Sequence, residues 1–364
     1  MSYRKRFVDW CQRPSKIKVR TFNPRNALVL VTFSIIIASS ITFGAWRYQV
    51  ASTTQINIPG ITWINPEDIE TLTITTDTTL TEDYFGQIII GADGVTLDGD
   101  GHMIIGPGPD VMILEFYEEL NTSAPRPLIG ILLAGRTGVT VKDCRATDFS
   151  YGFFLDDSDR NTLQGNTANG NAYGGFVLES SSNNTFLNNT ANDISDGEDL
   201  ANGFSLGRSF RNTLQGNTAN DNWIGFVLEE SDGNILIGNT AKNNTHSGFE
   251  IAFSSNNTLT GNTASSNNYG MSFGNVRSRN NSIYHNNFVN NIKQVDILRS
   301  VNAWDDNYPS GGNYWSDYDG FDANGDGIGD TPYVIDENNV DRFPLMAPIS
   351  VFDSELEGGE NNKE

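Results

Sequence analysis

The sequence predicts an all-β protein: a right-handed parallel β-helix (solenoid) with an N-terminal transmembrane helix. Three observations carry this reading. An eight-residue motif recurs at 23, 28, 22, 23 and 24 residues, each recurrence is followed by a strand-like alternation, and residues 27–46 contain no charged side chain. Glycine at 36 residues and hydrophobic residues at 37% suit a fold of strands and turns, and suit neither a helical bundle nor a polytopic membrane protein.

The chain opens with a basic segment, residues 1–26, carrying eight Lys and Arg against the single acid Asp9. The uncharged run from Ala27 to Trp46 follows, long enough as a helix to cross the roughly 30 Å hydrocarbon layer. Positive charge on the N-terminal side argues for a cytoplasmic N-terminus and an exported remainder. The length of the basic segment and the lack of an A-x-A site after the run favour an uncleaved signal anchor over a cleaved signal peptide. The expected placement is therefore a single-pass protein of the cell membrane with its β-helix outside the cytoplasm. Residues 47–59 read as a linker.

The repeat occupies most of residues 60–301. The motif N-T-L-x-G-N-T-A starts at Asn161, Asn184, Asn212, Asn234 and Asn257, and in degraded form at Asn281. A strand of the form Gly-Phe-x-Leu precedes or follows each copy: Phe153 and Leu155, Phe176 and Leu178, Phe204 and Leu206, Phe226 and Leu228, Phe249 and Ile251, Met271 and Phe273. Spacing by two gives one buried face per strand. Such a repeat cannot close a core alone, whereas stacked coils bury a continuous one. The alignment predicts an aliphatic column (Val141, Leu163, Phe186, Leu214, Leu236, Leu259, Ile283), an alanine column, and a column in which Cys144 precedes Asn166, Asn189, Asn217, Asn239, Asn262 and Asn286. Stacked amides can bond up and down at about 4.8 Å per coil, so these asparagines are expected to be structural and Cys144 a buried thiol. Cys11 and Cys144 leave no disulfide framework.

The flanks are less regular. Residues 60–85 are expected to cover the first coil, Pro107 to Pro127 to form an inserted loop, and the aromatic stretch from Trp304 to Tyr318 to cover the last. Residues 302–350 thus make a C-terminal cap, and residues 351–364 an acidic disordered tail.

The segment TLTEDYFGQIIIGADGVTLDGDGHMIIG, the N-T-L-x-G-N-T repeats and the ending GGNYWSDYDGFDANGDGIGDTPYVIDENNVDRFPLM together resemble the periplasmic copper-binding (NosD-type) family. The likeness is strongest to its archaeal surface members, within the class of carbohydrate-binding and sugar-hydrolase repeats. For bacterial members the resemblance implies a role in delivering copper or assembling a copper cluster. The soft donors of this chain depart from that need: its histidines are His102, His246 and His285, its methionines are scattered, and its cysteines cannot pair, so copper is not expected.

Four features point to chemistry. Tyr151, Tyr173, Trp223, His246 and Tyr269 each fall just before the inward residues of their coils, where rings aligned on an exposed corner would offer platforms to sugar rings. Asp156, Glu179 and Glu229 should point outward from the Gly-Phe-x-Leu strands, a spacing that any β-helix column provides; they read as a solvated acidic face, and no catalytic residue is assigned. The sequons at Asn121, Asn183, Asn243, Asn256 and Asn280 are glycosylation candidates, with Asn188 too close to the amide column. Finally, D-A-N-G-D-G-I-G-D places Asp322, Asn324, Asp326, the Ile328 carbonyl and Asp330 at positions 1, 3, 5, 7 and 9 of a calcium loop, with Gly327 at position 6 and Tyr333 where an EF-hand has its bidentate Glu. Calcium would fix the C-terminal cap.

The net charge of −22 excludes nucleic acid as a natural partner. The function expected from sequence is a membrane-anchored, extracytoplasmic β-helix that binds or displays polysaccharide or envelope glycans, or serves as a structural or adhesive element. A polysaccharide-active hydrolase or lyase and a copper-site assembly accessory protein are the alternatives.

Overall fold

The computed structural model describes residues 62–64, 69–108, 111–117, 122–194, 201–274 and 278–349. The predicted basic segment, membrane anchor, linker and acidic tail lie outside them, as does Asn121. Among the described residues no helix is long and apolar enough to cross a membrane.

From residue 71 onward the chain winds into a parallel β-solenoid. One sheet of ten strands runs from Thr71–Ile74 to Lys293–Asp296, and a second, also of ten, from Thr78–Thr79 to Val301–Ala303. The third side is in two blocks, of four and five strands, because the coil through Thr190 contributes only isolated bridges to Thr167 and Thr218. The register is that of the repeat. Phe153, Phe176, Phe204, Phe226 and Phe249 pair in succession, and their rings stack at centroid spacings of 4.6 to 5.0 Å. Leu163, Phe186, Leu214, Leu236 and Leu259 form the aliphatic column of the second sheet, all buried.

The alanine column leaves space that glycine then uses. A Cβ on Gly225 would stand 2.6 Å from the Gly248 carbonyl oxygen and 2.9 Å from Ala241 Cβ, so the long-strand sheet approaches the third side this closely only without a side chain there.

Polar corners hold the coils in register. In the predicted column, Asn166 Nδ2 donates to Asn189 Oδ1 at 3.0 Å, and the bond repeats through Asn217, Asn239, Asn262, Asn286 and Asn313. Each Oδ1 also accepts the backbone N–H of the coil before, Cys144 N included. Two further asparagine columns, through Asn161 and Asn171, and a serine column through Ser158 do the same at the other corners. The residue just before these columns often has positive φ, which explains the Gly, Asn and Asp found there, such as Asn183 (59°), Asn256 (57°) and Gly165 (64°).

Three expectations are corrected. Residues 71–85 are not a cover but a complete coil, since Thr71–Ile74, Thr78–Thr79 and Tyr84–Phe85 each pair in parallel with the coil that follows. Pro107 to Pro127 contains an antiparallel hairpin, Val111–Tyr117 against Thr122–Pro127, in which β-branched and aromatic residues find strand partners. The outer row of the long-strand sheet is only partly solvated: Val177, Ser205, Val227 and Ser272 are buried, while Phe154 and Glu250 are half-buried. Part of the reason is local, because Val177 Cγ2 and the Tyr151 ring both occupy the space that a side chain on Gly174 would fill.

At the C-terminal end, Trp304 and Trp315 close the core. Trp315 is stacked between Phe288 (4.5 Å) and Tyr333 (4.3 Å), and a hairpin of Tyr333–Asp336 with Asn339–Asp341 lies beyond.

Candidate functional site: the outer face of the long-strand sheet

The five predicted aromatic residues do not form one stripe. Tyr151 and Tyr173 meet at 5.9 Å, and Trp223, His246 and Tyr269 form a second group with centroid spacings of 4.8 and 5.3 Å. The intervening coil carries Ala201 at the aligned position, with its backbone oxygen accepting the Trp223 N–H. All five rings are half-buried.

The second group includes hydroxyls and a carboxylate that sequence reasoning missed. His246 Nδ1 is 2.8 Å from Ser247 Oγ, Ser247 Oγ donates to Ser272 Oγ at 2.8 Å, and Ser272 Oγ donates to Glu250 Oε2 at 3.3 Å. The signal was present in the columns: Ser247 stands where the previous coil has Ile224, and Ser272 follows Val227 and Glu250 in the central row.

The opposite margin of the same sheet is acidic. Asp156, Glu179, Gly207 and Glu229 occupy successive coils in register, as expected, but Glu179 and Glu229 are buried at 8% and 6% exposure where a solvated face was predicted. Glu179 is covered because its carboxylate folds over Gly207, whose Cβ would lie 2.6 Å from Glu179 Oε1, and because Arg208 closes on it at 3.0 Å. Burial raises the Glu179 carboxyl above its ordinary range; Arg208 opposes that shift, and Glu229 and Asp156 add to it.

The loop predicted to hold calcium is ordered by its own side chains. Asp322 accepts the N–H groups of Gly325 and Gly327, at 2.7 and 2.8 Å; Asn324 accepts Asp326 N–H, Asp326 accepts Ile328 N–H, and Asp330 accepts Ala323 N–H. The Ile328 N–H and the Asn324 amide hold the Asp326 carboxyl below its usual value. Asn324, Asp326, Ile328 and Asp330 also line a small cavity of about 150 Å³ with Tyr308 and Arg342. No group of three His, Cys, Asp or Glu side chains suited to a metal converges among the described residues, so a cation here would need the Asn324 and Ile328 oxygens as well.

The three histidines each have a different partner. His102 faces Asp83, His246 ends the hydroxyl chain, and His285 Nε2 meets the Ser310 carbonyl. Cys144 is buried, and its thiol is pushed up to about 12 by burial and by Asp98 and Asp143. The described sequons, Asn183, Asn188, Asn243, Asn256 and Asn280, are all exposed at positive-φ corners.

A parallel β-solenoid with asparagine ladders defines the class of protein. The family described as periplasmic copper-binding protein (NosD) matches residues 130–320, over half of the chain, and the chain belongs to it. Over 72 residues it is 43% identical to the probable ABC transporter binding protein NosD of Stutzerimonas stutzeri and 40% identical to that of Pseudomonas aeruginosa. Those matches cover 20% of this chain and 16% of each relative's length. Among solved structures it is similar to the periplasmic alginate epimerase AlgG (16% identity, TM-score 0.39, covering 65% of this chain and 72% of the other). It is also similar to pectate lyase Pel9A (17%, 0.41, 65% and 71%) and to the tailspike protein 2 of bacteriophage CBA120 (14%, 0.44, 65% and 43%). Likeness at this level is one of fold at most.

Proposed function

We propose that this chain is an extracytoplasmic β-helix, anchored by a helix over residues 27–46, whose long-strand sheet binds carbohydrate. The observation that carries the reading is the Trp223, His246 and Tyr269 group, half-buried rings beside a carboxylate and hydroxyls on the outer face of a rigid sheet. Ring faces bury the apolar faces of sugars, and flanking polar groups fix their hydroxyls. The family's periplasmic description and the run of exposed sequons support a setting outside the cytoplasm. Calcium at Asp322, Asn324, Asp326, Ile328 and Asp330 is proposed as a brace for the C-terminal cap, distant in sequence from the binding sheet.

A second reading, an enzyme acting on polysaccharide, is favoured by Glu179. Its carboxyl is raised by burial and folds over Gly207, with Glu229 in register on the following coil, so two buried carboxyl groups share one face. Glycan-array binding by the full-length chain, run beside reducing-sugar and unsaturated-product assays, separates the two. Binding without turnover supports the first reading, turnover supports the second, and silence in both rejects each.

A further inference from the structure

The hydrogen bonds around His246 have a direction that can be assigned atom by atom. A carboxylate only accepts, so the Ser272 hydrogen is spent on Glu250 Oε2; the Ser247 hydrogen is spent on Ser272 Oγ. Ser247 Oγ therefore meets His246 Nδ1 with a lone pair, and Nδ1 must carry the hydrogen of that 2.8 Å contact. The direct distance from Nδ1 to Glu250 Oε2, 3.9 Å, is too long to compete. Both hydroxyls are buried and satisfied within this chain, which leaves no room for Ser247 as an exposed nucleophile.

We infer that Glu250, acting through two serine hydroxyls, holds His246 as the Nδ1–H tautomer, and that Nε2 is a fixed acceptor selecting neutral, hydroxyl-bearing sugar rings seated beside Trp223. The ligand class rests on the carbohydrate reading above; the tautomer does not. Nε2 makes no hydrogen bond among the described residues, nor does the Trp223 indole N–H, so an acceptor and a donor stand on adjacent coils next to stacked rings. Vicinal sugar hydroxyls, each donor and acceptor, complement that pair. Acidic sugars are disfavoured by Glu250 beside the rings, while Arg208 and Lys293 are engaged by Glu179 and Asp296, and Arg136 by Asp93.

Two measurements on the full-length chain test this. Imidazole ¹⁵N shifts of His246 above its titration should show Nε2 unprotonated, and Ser272→Ala, which frees the Ser247 hydrogen to turn toward Nδ1, should move the ring toward the Nε2–H form. An Nε2–H ring in the unaltered protein, or shifts that ignore Ser272→Ala, overturns the inference without touching the carbohydrate reading. Calorimetry with β-1,4-mannohexaose and its uronate counterpart, β-1,4-hexamannuronate, tests selectivity. The neutral hexamer should bind at least about tenfold more tightly, and His246→Phe, which keeps a ring between Trp223 and Tyr269, should lose about tenfold in its affinity with an unchanged melting curve. Equal or tighter binding of the uronate, or no loss in His246→Phe while Trp223→Ala abolishes binding, overturns the selectivity. Failure of both hexamers to bind overturns the carbohydrate reading and the ligand class with it.

Discussion

Asn313 donates its backbone N–H to Asp341 Oδ2 at 2.7 Å, so the amide ladder that begins below Cys144 terminates on a carboxylate. Two residues away, Asn339 ends the neighbouring ladder by accepting Asn302 N–H, and it also accepts the Trp304 indole N–H. Asp341 likewise accepts the Trp315 indole N–H. One short strand, Asn339–Asp341, thus closes two ladders and orients both capping tryptophans.

This arrangement makes the cap pH-sensitive. Burial pushes the Asp341 carboxyl up to about 6, although the N–H groups of Asn313, Trp315 and Phe343 pull the other way. The folded state then holds a proton that an unfolded aspartate, with its pKa near 3.9, releases, so stability rises as pH falls from about 7 to 4. The contribution across that window is about 3 kcal/mol. Denaturant midpoints from pH 4 to 7 should carry this slope, and Asp341→Asn should flatten it; an identical slope in the variant rules out Asp341 as the source.

The inward and outward rows of the long-strand sheet differ in degree. Phe226→Ala or Leu236→Ala, each in a stacked column, should cost about 2 to 5 kcal/mol through lost burial and a cavity. Val227→Ala, outward but only 6% exposed, should cost about 1 to 2 kcal/mol instead of nothing. Urea denaturation of the three variants checks the order, and equal losses at 226 and 227 contradict the register.

Removal of the Trp223 ring should weaken glycan binding by about 1 to 3 kcal/mol, the size of an aromatic stacking loss. The melting temperature should fall by no more than a few degrees, because Trp223 is only half-buried. Loss of the fold together with binding would return the ring to a packing role.

For the C-terminal loop, chelation should lower the melting temperature and open the chain after Trp304 to protease, and Asp326→Ala should remove the calcium response. A melting curve indifferent to chelator and to millimolar calcium, with no calcium in metal analysis, rejects the brace.

Much of the fold was legible because the repeat encodes it twice, once in the Phe and Leu columns and once in the Asn166 column. The site was legible only in part. Tyr151, Tyr173, Trp223, His246 and Tyr269 could be placed near one corner, yet their division into two groups depends on Ala201, an unremarkable residue in the eight-residue motif's terms. The burial of Glu179 depends on Gly207 one coil later and Arg208 beyond it, contacts about 28 residues away that no local pattern encodes. The Ser247, Ser272 and Glu250 chain required reading across coils as well as along the strand. The complete coil at residues 71–85 was hidden because strands of two and four residues, Thr78–Thr79 and Thr71–Ile74, show too little alternation to be counted.

Because the Asn166 column repeats once per coil, each amide Nδ2 donating to the next Oδ1, length is quantised in this molecule. Excising residues 234–256 would set Asn257 directly above Asn212 and leave each column unbroken, while shortening the shaft by about 4.8 Å. The 28-residue interval before Asn212 shows the same tolerance in the other direction, since its extra residues leave the Asn184 to Asn212 bond at 3.2 Å. Reach can therefore be changed in whole steps, by gain or loss of coils, with the capped end left as it is, although this particular coil would carry away His246, Ser247 and Glu250 of the ligand-facing group.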